Sequence, residues 1–182
     1  SGQTNGLGYN SALSEDGKFV AYQASRTSLP AGTYSGIILR YALETGLTDL
    51  IHTNAPTSIP TAMETHNLDL TPDGGFVAFV ANTNGVQGTT TCIQVWDAST
   101  GLNSLASGDL SNAVPAGSIS TRPVLDTSGR FVTFLSSSPG LVTNTVPGTW
   151  HLYVRDLLNA TTTLVDADES GAGSPITAAT VP

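Results

Sequence analysis

Short apolar runs of strand length, separated by polar punctuation, fill the chain, and no window carries apolar residues at helical spacing between caps. The clearest runs are Phe19-Val20-Ala21-Tyr22, Phe76-Val77-Ala78-Phe79 and Phe131-Val132-Thr133-Phe134. Aromatic and β-branched side chains of this kind suit a pleated, half-buried surface. Each run follows a turn: Ser14-Glu15-Asp16-Gly17, Thr71-Pro72-Asp73-Gly74 and Asp126-Thr127-Ser128-Gly129. Asp-Gly or Ser-Gly between apolar segments reverses the chain, because Gly reaches positive φ without a steric penalty. Strands a and b of a hairpin are therefore predicted on either side of each turn.

A second block follows each first. Ile37-Ile38-Leu39-Arg40-Tyr41, Cys92-Ile93-Gln94-Val95-Trp96 and His151-Leu152-Tyr153-Val154-Arg155 read as strand c. Glu44-Thr45-Gly46, Ser99-Thr100-Gly101 and Leu158-Asn159-Ala160 then turn the chain into strand d, over 47–53, 102–107 and 161–165. Phe19, Phe76 and Phe131 recur at intervals of 57 and 55 residues, and two blocks repeating in register make chance a poor explanation. The predicted units cover 9–58, 66–112 and 121–168. Residues 170–182 look like the first strand of a fourth unit, since Ser170-Gly171-Ala172-Gly173 can be laid over Asn5-Gly6-Leu7-Gly8. Ile176 and Val181 are the side chains such a strand would bury in another copy.

The expected fold class is all-β, with tandem four-stranded antiparallel blades that bury their faces only against their neighbours. The pattern resembles the TolB-like propeller repeat, also called the WD40-like or PD40 repeat. The resemblance rests on Thr71-Pro72-Asp73-Gly74 and Val154-Arg155-Asp156-Leu157 and extends over nearly the whole chain. The Arg-Asp pair of that family occurs only in the third unit, being Tyr41-Ala42 and Trp96-Asp97 in the others. The Asp that often opens the family's strand c is replaced by Gly36, Cys92 and His151. What the resemblance implies is a propeller, whose rings usually hold more blades than three. Three units leave a bare blade face at each end, and an open edge of this kind invites pairing.

Composition narrows the function classes. The 182 residues carry a formal net charge of -8, a single lysine, Lys18, and only 11% charged residues, while Ser and Thr make up about a quarter. Phosphate backbones and anionic lipid surfaces are repelled by such a chain, which argues against nucleic-acid partners. No apolar run reaches the length of about 18 residues that a membrane helix needs, so no membrane insertion is expected. Cys92 stands alone and reads as a small packed side chain. A Gly-x-Ser-x-Gly elbow and an HExxH motif are both missing, and His52, His66 and His151 fall in separate units. No enzyme activity is expected.

Two weaker signals remain. Asp166-Ala167-Asp168-Glu169-Ser170-Gly171 opens like a calcium loop, with Asp166, Asp168 and Ser170 as the ligands. The twelfth position is Thr177, which lacks the bidentate carboxylate, so an acidic linker is the leading reading and no cofactor is expected. Long b-to-c and d-to-a loops should share one face and carry Arg26, Tyr34, Asn82, Asn84, Gln87, Arg122 and Trp150, able to bond or stack on a glycan or protein ligand. The expected function is a structural or interaction scaffold, extracellular, cell-surface or periplasmic, that assembles with other copies of itself through open blade edges into a ring or filament. The alternatives are a ligand-binding segment of a longer propeller, and the accessory propeller of an enzyme.

Overall fold

A computed structural model describes residues 8–25, 36–56, 67–83, 89–146, 150–168 and 170–173. Among these the chain is all-β, in three four-stranded antiparallel sheets. The first holds β1 (Gly8–Leu13), β2 (Phe19–Ser25), β3 (Gly36–Ala42) and β4 (Thr48–Ala55) in that order. The second holds β5 (Leu68–Leu70), β6 (Phe76–Asn82), β7 (Thr91–Asp97) and β8 (Leu102–Leu105). The third holds β9 (Ser120–Leu125), β10 (Phe131–Ser136), β11 (His151–Asp156) and β12 (Thr161–Leu164). Strand order within each sheet follows the chain, as in a propeller blade.

The turns before β2, β6 and β10 form for the reason their sequences suggest. Ser14 Oγ accepts the amides of Lys18 and Phe19 at 3.1 and 2.9 Å and donates to Asp16. Thr71 repeats the arrangement, its Oγ accepting Phe76 N at 2.9 Å and donating to Asp73. In the third turn the carboxylate of Asp126 replaces the hydroxyl and accepts Phe131 N at 2.8 Å. Gly17, Gly74 and Gly129 hold φ of +71°, +70° and +71°.

Two apolar layers lie between the three sheets. Ala21, Ile38, Ile51 and Ala55 of the first sheet meet Val77, Phe79, Ala81, Cys92 and Trp96 of the second. On the other side of the second sheet, Ala78, Val80, Ile93 and Val95 meet Val132, Phe134, Tyr153 and Leu164 of the third. The alternation of β6 and β7 thus serves both layers, and six of the seven β6 residues are buried.

Cys92 is 1% exposed, and burial pushes its thiol up to about 11. A thiol reagent should therefore modify it only as the chain unfolds. Labelling of the native chain at the rate of a free thiol would contradict its place between the sheets.

Candidate interaction surfaces

The joints between sheets repeat one device. Each sheet presents a forward face to the sheet that follows and a backward face to the one before. The Phe that opens strand b lies on the forward face, and its ring is pressed against the turn Gly of the next sheet. A Cβ on Gly74 would stand 2.4 Å from Phe19 Cδ2, and one on Gly129 would stand 2.2 Å from Phe76 Cδ2. Glycine is required at both places for contact as well as for φ.

Polar groups pin the joints. At the first, Arg40 is held by Asp49, with Nε and Nη2 donating at 2.9 and 2.8 Å, and its guanidinium lies 4.4 Å from the Phe19 ring centroid and 4.7 Å from that of Trp96. From there Nη1 donates to the Gly74 carbonyl of the next sheet. Asn103 Nδ2 donates to Ile51 O at 3.1 Å. At the second joint Asp69 accepts Leu125 N at 2.7 Å, and Thr121 donates to Asn67 at 2.8 Å. Thr91 Oγ1 donates to Ser120 O and accepts Ser120 N, at 2.9 and 3.0 Å.

The outward faces of the two end sheets carry the same kinds of residue without a covering sheet among the described residues. Strand register places Leu13, Val20, Tyr22, Leu39, Tyr41 and Leu50 together on the backward face of the first sheet. Leu13 and Leu50 are 63% and 59% exposed. Val77 and Phe79, the second-sheet counterparts of Val20 and Tyr22, are fully buried. On the forward face of the third sheet, register groups Val124, Phe131, Thr133, Leu135, Leu152 and Val154. Val124 and Phe131 are 54% and 38% exposed.

Three of the residues expected to bind a ligand lie among the described residues. Asn82 closes β6 and is 5% exposed; its side-chain amide and that of Asn54 join the first two sheets, each donating at 3.3 Å. Arg122 sits at the irregularity of β9 with φ of 54°, and Trp150 immediately precedes β11. Arg26, Tyr34, Asn84 and Gln87 lie outside the described residues, as do Ile176 and Val181. The proposed calcium ligands make hydrogen bonds within the chain. Asp168 Oδ1 accepts Ser170 N, Ser170 Oγ and Ala172 N at 2.8, 2.6 and 3.0 Å, closing a turn. Asp166 Oδ2 instead meets His151 Nδ1 at 3.1 Å. Among the described residues no group of three or more His, Cys, Asp or Glu is placed to hold a metal ion.

A groove of about 770 Å³ that was not expected runs between β8 and β12, lined by Asn103, Asp109, Arg155 and Thr162 among others. Arg155 Nη1 donates to Thr162 Oγ1 at 3.0 Å, while its buried Nε has no hydrogen-bond partner and burial lowers its pKa. The signal for Arg155 in the sequence was its place in the Val154-Arg155-Asp156 block, which says nothing about the strand it would lean on.

Acid sensitivity follows from the turns. Hydrogen bonds from side chains or backbone amides hold Asp16, Asp73, Asp97, Asp109, Asp126 and Asp168 below the usual carboxylate range. Arg130 does the same for Asp156, with Nε and Nη2 donating at 3.0 and 2.6 Å. Burial lowers His52, whose ring lies 5.2 Å from that of Phe79. In every case the folded pKa lies below the unfolded one, so the unfolded chain takes up protons first. Stability from the carboxylates should be complete above about pH 5 and fall steadily toward pH 2, with the His52 contribution lost from about pH 6.5 downward. Denaturation midpoints that stay level across that window would refute this.

No family model matches the sequence, and no curated protein sequence is similar to it. Solved structures do match. A puromycin-hydrolysing peptidase of Mycobacterium tuberculosis is similar over 90% of this chain and 24% of its own, at 13% identity and a TM-score of 0.60. The tricorn protease is similar over 86% of this chain and 14% of its own, at 19% identity and a TM-score of 0.56. A TolB from Acinetobacter baumannii is matched over 88% of this chain and 43% of its own, at 15% identity and a TM-score of 0.40. The chain spans less than half of each of these proteins, and at such identities the peptidase matches speak for the fold alone.

Proposed function

We propose that this chain is a non-enzymatic interaction scaffold of the propeller type, which assembles with copies of itself through the outward faces of its end sheets. The observation that carries the reading is the repetition of joint residues on uncovered faces. Positions that are sealed in the second sheet, such as Val77, Phe79 and Trp96, recur as Val20, Tyr22 and Tyr41 on a face that has nothing against it among the described residues. Burying such a face is worth about 25 cal/mol per Å² of apolar area, and the gain is available to any complementary blade. The acidic, lysine-poor and hydroxyl-rich surface suits an extracellular, cell-surface or periplasmic setting. Consistent with this, no helix among the described residues is long and apolar enough to cross a membrane. The test is sedimentation over a concentration series. Discrete oligomers or polymers are expected, and a well-folded monomer throughout would overturn the reading.

The peptidase matches favour a second reading, in which the chain is part of the propeller of a larger hydrolase. Its sign would be peptide hydrolysis by the longer gene product, lost when a catalytic domain outside these residues is removed.

A further inference from the structure

Resting on the self-assembly reading, we infer that the contact between copies is a third instance of the internal joint, with Phe131 of one copy seated on Gly17 of the next. The partner is a second copy of this chain, bound head to tail.

The inference comes from following one pair of positions through the chain. Phe19 is pressed on Gly74, and Phe76 on Gly129. Two members of the series are left over. Phe131 opens β10 as Phe19 and Phe76 open their strands, pairs with Asp156 as Phe76 pairs with Asp97, and is 38% exposed. The Arg130 guanidinium of its own sheet lies 4.7 Å from its ring centroid. Gly17 has the φ of Gly74 and Gly129 to within about a degree, yet a Cβ placed on it would meet no atom within 4 Å. Among the described residues the third sheet therefore has an unseated ring, and the first an unfilled notch of matching backbone shape.

The surfaces around the pair match in the same sense. The first sheet offers the backward face of Val20, Tyr22 and Tyr41, where the second offers Val77, Phe79 and Trp96 to its predecessor. The third sheet offers the forward face of Thr133, Leu135, Leu152 and Val154, where the second offers Ala78, Val80, Ile93 and Val95 to its successor. Forward meets backward at both internal joints, so the free pair continues an interface the fold already uses. Such a contact is heterologous: two different patches meet, and every copy keeps one of each unless the series closes on itself.

Substitution and cross-linking test the contact together. Phe131→Glu should leave the circular dichroism of the chain unchanged, because the ring already borders solvent, and should weaken assembly by more than about tenfold, as loss of a central aromatic anchor does. Leu110→Glu, at a residue 67% exposed and away from both faces, should assemble like the parent. At the first joint Phe19 Cβ lies 3.0 Å from the place of a Cβ on Gly74, so cysteines at equivalent positions are within bridging reach. A Gly17→Cys chain mixed with a Phe131→Cys chain should form a disulfide-linked pair under mild oxidation, and neither should do so alone, since Cys92 is buried. A parent chain that stays monomeric overturns both this contact and the self-assembly reading. Assembly that persists in Phe131→Glu, without cross-linking of the mixed chains, overturns this contact and leaves self-assembly through another surface. Cross-linking of Phe131→Cys chains to one another would show that like faces meet, and overturns it equally.

Discussion

Gly129→Ala is expected to destabilise the chain by about 2–4 kcal/mol, against about 1 kcal/mol for Gly101→Ala. Both glycines hold φ near +70°, so the backbone strain of adding a methyl group is shared. The difference is contact. A Cβ on Gly129 would stand 2.2 Å from Phe76 Cδ2 and 2.4 Å from Cγ, so the ring and the turn must move apart and open the joint between the second and third sheets. At Gly101 the new methyl group would meet nothing within 4 Å. Gly74→Ala should behave like Gly129→Ala, since its methyl group would meet Phe19 at 2.4 Å. Urea midpoints at unchanged slope would measure all three. Equal losses at Gly101 and Gly129 would mean that φ alone sets the cost and that the ring contact contributes nothing.

Alanine in place of the second aromatic of strand b gives a contrast of similar size. Tyr22, Phe79 and Phe134 occupy one repeat position, three residues after the Phe that opens each strand, and differ in what covers them. Phe79 and Phe134 are fully buried, the latter with the Tyr153 ring 5.8 Å away. Each truncation there should cost about 3–5 kcal/mol through lost burial and the cavity left behind. Tyr22 lies on the uncovered face and is only half-buried, so its loss should cost about half as much or less at concentrations where the chain is monomeric. A Tyr22→Ala chain as damaged as Phe79→Ala would show that the face is covered within one molecule.

The turn and strand blocks were legible because each rests on local chemistry. Asp-Gly fixes a hairpin within four residues, and alternation in Phe76–Asn82 fixes which side chains share a face once a strand is assumed. The joints were not legible in the same way. That Phe19 needs a glycine at position 74 depends on how closely two sheets approach, which no spacing within one unit records. Arg40 stands in the sequence as one residue of a strand c block, but it reaches Gly74 and Trp96 across the joint. The sequence reading places Asn82 on a long b-to-c loop as a candidate ligand contact. Its bonds to Asn54 depend on the first sheet lying alongside. The Asp166-to-Ser170 run resembled a cation loop because Asx turns and calcium loops use the same residues. In the structure Asp168 Oδ1 accepts two backbone amides of its own turn.

The burial of β6 on both faces has a consequence for how the chain must reach its native state. A strand that serves two apolar layers has no solvent side on which to carry a charge, and Phe76–Asn82 reads Phe-Val-Ala-Phe-Val-Ala-Asn, without a charge or a proline. Seven residues of that composition are also what lets unfolded chains pair with one another in cross-β fashion. Asp69 and Asp73, just before β6, are the nearest acidic gatekeepers along the chain. Until the first and third sheets close over it, this strand is sticky to every other copy of itself, so recovery from denaturant is a race between closure of the neighbouring sheets and encounter with another chain.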